Sequence, residues 1–166
     1  ADLETPPELG VLSIGTMDYS VEAVDHTCYE TIEEFLSTEK PDWASCRWID
    51  IQGVHPYAIN ELRKKFNLHT LAAEDVLNIP QRQKMEEYED MLFIILRMLR
   101  IEDDQFVNEQ VSFFFLGNTI ITQQEKEGDI WDPIRKRINR EGSRLRQYGA
   151  PYLLYALIDA IIDHVF

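Results

Sequence analysis

Apolar residues recur along this chain in two different periods, and the switches between them mark out its elements. "VLSIGT" and "YSVEAVDHT" alternate apolar and polar positions over short β-branched runs, which predicts strands. "TIEEFLST" opens with Thr31 three residues ahead of Glu34, a capping-box spacing that starts a helix. "CRWIDIQG" reads as a buried strand closed by Gly53. Pro56 then stands where a first helical turn tolerates it, and Ile59, Leu62 and Phe66 fall at helical spacing down to Asn67. A short helix follows from Thr70 to Leu77 and must stop before Pro80, because proline disfavours helical geometry in the residue ahead of it. "MLFIILRML" is apolar and β-leaning, and "EQVSFFFLGNTIITQQ" divides at Gly117 and Asn118 into a hairpin. Asp132 and Pro133 supply a cap and a first-turn residue for "PIRKRINREG", which ends on basic residues and Gly142.

These elements give an α/β class: one mixed parallel and antiparallel sheet with helices on both faces. The polar, proline-rich opening, residues 1–10, reads as a loose arm. The chain's 166 residues suit a single domain. "APYLLYALIDAIIDHVF" is apolar nearly all round except for Asp159 and Asp163, which lie four apart and are expected on one face with Tyr152, Tyr155 and Ala156. It carries no stop signal, so the helix is expected to run on past Phe166 in a longer protein.

Charge narrows the function. Sixteen basic against thirty acidic residues leave a net charge of −14, which repels phosphate backbones and anionic lipid headgroups. Nucleic acid is therefore not an expected partner. Hard divalent cations do want carboxylates, although an acidic surface also serves solubility alone. No stretch reaches the roughly eighteen apolar residues of a spanning helix, and no basic and apolar leader opens the chain, which reads as a soluble piece. Cys28 and Cys46 form no metal-binding or redox motif and are expected as two reduced thiols. Enzyme signatures are absent: there is no phosphate-cradling loop, no HExxH and no nucleophile elbow. His55 and His69 stand beside helix starts, where a structural role is expected, and Phe113 to Phe115 with Trp43, Trp48 and Trp131 are expected in the core.

The acids carry the candidate chemistry. On composition alone, Glu74 and Asp75 in "AAEDVLNIPQRQKMEEYED" are a solvated face of a short helix. "QRQKMEEYED" reads as a salt-bridged turn in which Arg82 and Lys84 pair with Glu86 or Glu89. Asp159 and Asp163 are less ordinary, because a carboxylate in an apolar helix is costly to bury unless it is paired, ligated or turned to a cleft. That stripe is expected to face an interface holding water or metal.

Four stretches carry a resemblance, in order: "LAAEDVLNIPQRQKME", "NEQVSFFF", "QEKEGDIWDPIRKRI" and "YLLYALIDAIIDHVF". Together, over roughly residues 48 to 166, they resemble the cytoplasmic domain of CorA-type magnesium transporters, truncated before the membrane helices. The resemblance implies a homopentamer whose funnel hangs on the cytoplasmic side of the cell (inner) membrane, with residues 151–166 starting a long stalk helix. It also implies regulatory Mg²⁺, or Co²⁺ or another divalent ion, bound at subunit interfaces so as to gate the pore, with Glu74, Asp75, Asp159 and the nearby Asp163 as metal ligands. The membrane helices and pore motif would lie beyond Phe166. A related zinc or other divalent transporter domain, or a soluble acidic interaction module, are the competing readings.

Overall fold

The computed structural model describes residues 3–164, with side chains through Asp163; of the expected arm and helix end, residues 1, 2, 165 and 166 lie outside the described residues. Seven strands form one sheet: β1 (Ser13–Tyr19), β2 (Val24–Tyr29), β3 (Cys46–Gln52), β4 (Lys84–Tyr88), β5 (Met91–Glu102), β6 (Gln105–Leu116) and β7 (Thr119–Gln124). Their order is β2-β1-β3-β7-β6-β5-β4. Only β3 and β7 pair parallel, and every other pairing is antiparallel, so the sheet is mixed as expected.

Successive side chains on a strand point to opposite faces, and both faces here are covered. On β6, Phe113 packs into one core and Phe114 into the other. The Phe114 side takes α1 (Ile32–Leu36), α2 (Pro56–Phe66) and α3 (Thr70–Leu77). The Phe113 side takes α4 (Asp132–Asn139) and α5 (Arg144–His164), and there Trp131 meets the edges of Trp48 and Phe113 at ring separations of 6.0 and 6.2 Å. No helix is long and apolar enough to cross a membrane among the described residues.

Caps follow the sequence closely. Thr31 Oγ1 accepts the Glu34 N–H at 3.2 Å, and the Nδ1 atoms of His55 and His69 accept the N–H groups of Tyr57 and Leu71 at 3.1 and 3.2 Å. Both histidines thus close helix starts. Asn67 ends α2 in the left-handed region at φ 52°, where an asparagine is tolerated.

Several expectations shift. β1 runs from Ser13 to Tyr19 rather than from Val11, and β2 starts only at Val24, because Ser20 turns the chain between them: its Oγ accepts the N–H groups of Glu22 and Ala23, both at 3.2 Å. Asp132 is the first residue of α4 rather than its cap; the residue ahead of the helix is Trp131, whose N–H goes to Asp129 Oδ1 at 3.0 Å. α4 ends at Asn139, short of Gly142, and the last helix starts at Arg144, interrupted at Gly149 with φ 72°. Trp43 lies outside the core, 46 % exposed. Cys28 is exposed and Cys46 buried, and both are free. The segment read as a turn contains β4, an edge strand of the sheet.

Candidate functional site

α3 turns Ala72, Ala73 and Val76 into the core, and this phase fixes its two acids. Glu74 is exposed, while Asp75 leans half-buried toward β4. There it meets a cation: Lys84 Nζ lies 2.5 Å from Asp75 Oδ2 and 2.8 Å from Glu86 Oε1. Lys84 was expected to reach Glu86, but Asp75 is an additional partner that only strand pairing could reveal. The Asp75 hydrogen bond, then that of Glu86, holds the Lys84 ammonium above its ordinary range, and Lys84 in turn holds Glu86 below its own. Tyr88 donates to Glu86 Oε2 at 3.3 Å, and its ring stacks on His69 at 4.1 Å.

The loop between α3 and β4 is pinned to the sheet. Gln110 Oε1 accepts the Gln81 N–H at 2.8 Å and an Arg97 N–H at 3.3 Å, while the Arg97 backbone N–H donates to Gln83 Oε1 at 3.0 Å. The acids of α3 therefore sit on an anchored helix.

On α5, Leu153, Ala156, Leu157 and Ile161 face the core. Asp159 and Asp163 are exposed, on the outer line that also shows Tyr155 (62 %) and Ile162 (48 %). Tyr155 shares their face as expected, but Ala156 does not; it is buried. The rings of Tyr148, Tyr152 and Tyr155 follow one another at 5.6 and 6.0 Å along this helix.

Glu74 and Asp75 thus lie on the Phe114 side of the sheet, and Asp159 and Asp163 on the Phe113 side. The fold does not bring the two pairs together within one chain. Among the described residues, no three His, Cys, Asp or Glu side chains gather as a metal cluster.

A second group of titratable residues escaped the sequence reading. A cavity of about 260 Å³ on the Phe113 side is floored by Gly15 and walled by His26, Cys28, Asp50, Asp129 and Arg135. Asp50, only 12 % exposed, takes a hydrogen bond from Thr122 Oγ1 at 3.1 Å and faces Arg135 Nη1 at 3.5 Å. Burial pushes its carboxyl up to about 6 despite Arg135. Burial also lowers His26, and Arg135 adds to that. Burial would raise Asp129, yet the hydrogen bond from Arg135 and the N–H of Trp131 outweigh it and leave its carboxyl below the usual range. Arg135 so ties α4 to β3 through Asp50 and to the loop ahead of α4 through Asp129. The signal lay in "WIDIQ", where Asp50 alternates in phase with the buried Trp48.

Residues 43–166 match the family described as CorA-like Mg²⁺ transporter protein. The chain is 35 % identical over 158 residues to the cobalt/magnesium transport protein CorA of Thermotoga maritima, covering 90 % of this chain and 45 % of that one. It is 27 % identical over 128 residues to the putative metal ion transporter YfjQ of Bacillus subtilis, covering 77 % of this chain and 39 % of that one. The chain therefore spans less than half the length of these curated relatives. Its fold matches the soluble domain of CorA from Methanocaldococcus jannaschii with a TM-score of 0.67 at 17 % identity, over 95 % of this chain and 58 % of that one.

Proposed function

The chain belongs to the CorA-like Mg²⁺ transporter family, and from that membership we propose that it is the cytoplasmic, divalent-cation-sensing part of a membrane ion transporter. In this reading it binds Mg²⁺, or Co²⁺, between neighbouring subunits of a homopentamer. The membrane helices belong to a part of the protein beyond this chain.

One observation carries the proposal: two acid pairs, the exposed Glu74 with the half-buried Asp75 and the exposed Asp159 with Asp163, stand on helices at opposite sides of the sheet. A single chain cannot place both on one ion, whereas two copies packed side by side can. Mg²⁺ suits such a shared site, because it keeps several of its waters and needs only one or two carboxylates. Chains that each carry −14 also repel one another, and an ion held between them offsets that repulsion only where they meet. Bound ion thus favours the assembled state, and its loss releases the subunits. Glu74, Asp75 and Asp159 are the proposed ligands, with Asp163 one turn further along α5.

The test replaces Glu74 and Asp159 by Gln and Asn and Asp75 by Asn together in the full-length protein, then follows protease cleavage of the region after α5 against Mg²⁺. Wild type should be protected as Mg²⁺ rises, and the triple variant should lose that protection while unfolding at the wild-type urea concentration. Full Mg²⁺ protection in a folded triple variant would place the ion elsewhere.

A further inference from the structure

We propose that Lys84 is a tethered cation that competes with the divalent ion for Asp75, and so sets the ion concentration at which the site fills; this rests on the cation-sensing reading above. The ammonium already sits where an ion on Asp75 would have to approach, 2.5 Å from Oδ2. An ion that takes Asp75 Oδ2 must therefore displace a positive charge, and one that takes the other carboxylate oxygen must bind beside it.

Three features suit Lys84 to displacement rather than to permanent cross-linking. Its side chain is 30 % exposed, and those of Asp75 and Glu86 are 23 % and 38 % exposed, so water and ions reach all three. An ammonium on a flexible four-carbon stem is a compact charge that can swing without disturbing the backbone. Glu86, at 2.8 Å, offers it a second partner once Asp75 is taken. Lys84 can thus bridge both acids without the ion and rest on Glu86 with it.

The strand does not depend on this pair for its place. β4 is held by five consecutive residue pairings with β5, and Tyr88 stacks on His69. Exposed ion pairs contribute about 0.2–1 kcal/mol, which corresponds to a change in ion affinity of about 1.4- to fivefold.

The experiment measures the Mg²⁺ midpoint for protease protection in the full-length protein, with MgCl₂ as the only variable. Lys84→Met should lower that midpoint about 1.4- to fivefold, and Lys84→Arg should leave it near wild type. Lys84→Gln runs beside the methionine variant, so that a folding failure of one leaves the other to decide. Lys84→Met with Glu86→Gln restores the wild-type net charge and should still lower the midpoint. Lys136→Met, which removes a highly exposed charge on the other side of the sheet, should not shift it. An unchanged or raised midpoint in folded Lys84→Met or Lys84→Gln overturns the competition while wild-type protection, abolished by the triple acid substitution, keeps the sensing reading intact. A wild type indifferent to Mg²⁺ overturns both.

Discussion

Replacing Asp50 by asparagine should change the pH dependence of folding rather than the fold. In the unfolded chain this carboxyl titrates at its ordinary 3.8, whereas burial between β3 and α4 lifts it to about 6 in the native protein. Between those values the native state holds a proton that the unfolded state has released. Stability must therefore fall as pH rises through this window; below it Asp50 has no effect, and above it the loss is constant. The difference of about two pH units corresponds to about 3 kcal/mol in all, of which about 2 kcal/mol falls between about pH 4.5 and 7.5. Asparagine keeps the size and an oxygen to accept from Thr122, and Arg135 keeps Asp129. Urea unfolding of both chains across that range tests this, because every other titrating group cancels in the difference. The variant should gain about 2 kcal/mol relative to wild type from the acid to the neutral end. Parallel curves would show that Asp50 is solvated or that Arg135 fully compensates its burial.

Two further substitutions check the scaffold. Glu109→Ala should cost about 3 kcal/mol or more in urea unfolding, because the fully buried carboxylate holds Arg100 at 3.0 Å and the Lys126 N–H at 2.9 Å; a loss below about 1 kcal/mol would mean that water replaces it. Thr31→Ala should cost about 1 kcal/mol by uncapping α1, and Thr31→Ser should restore most of it; equal stability of all three chains would show that the cap contributes nothing.

The elements legible in the sequence are those whose polarity matches their surroundings. β3 and β7, central in the sheet, announce themselves by apolar runs, and the helix starts at Thr31 and Pro56 follow from local chemistry alone. β4 inverts the usual code. Lys84, Glu86 and Tyr88 are its half-buried positions, and the apolar Met85 is 66 % exposed, so a strand reads as a charged turn. The β5–β6 turn was hidden for a related reason: Asp103 and Asp104 both take positive φ, 50° and 62°, without a glycine to mark the place. The acids of the candidate site could be picked out by residue type and resemblance. The hold of Lys84 on Asp75 could not, since it depends on the pairing of Lys84 with Ile95 across a hairpin that had to be recognised first.

The stretches that carry the family resemblance also show how the two acidic surfaces are held relative to each other. "EQVS" and "QEK" are one structure in space, because β6 and β7 pair Val111 with Gln124. Neighbouring residues on β6 point to opposite faces, so Glu109 and Gln110 anchor different sides of the sheet. Gln110 fixes Gln81, in the loop that leaves α3, and its own N–H goes to Glu125 Oε2 at 2.9 Å. Glu109 holds Lys126, in the loop that leads to α4, and Gln124 secures the same loop through the carbonyls of Lys126 and Gly128. One polar knot, buried at β6, thus fixes the entry to α4 on one face and the exit from α3 on the other. If an ion is shared between α3 of one subunit and α5 of its neighbour, the angle between those surfaces decides whether identical subunits can close into a ring. Residues that never touch the ion then govern its site by geometry. A change in the knot should disturb assembly even where all four acids are intact.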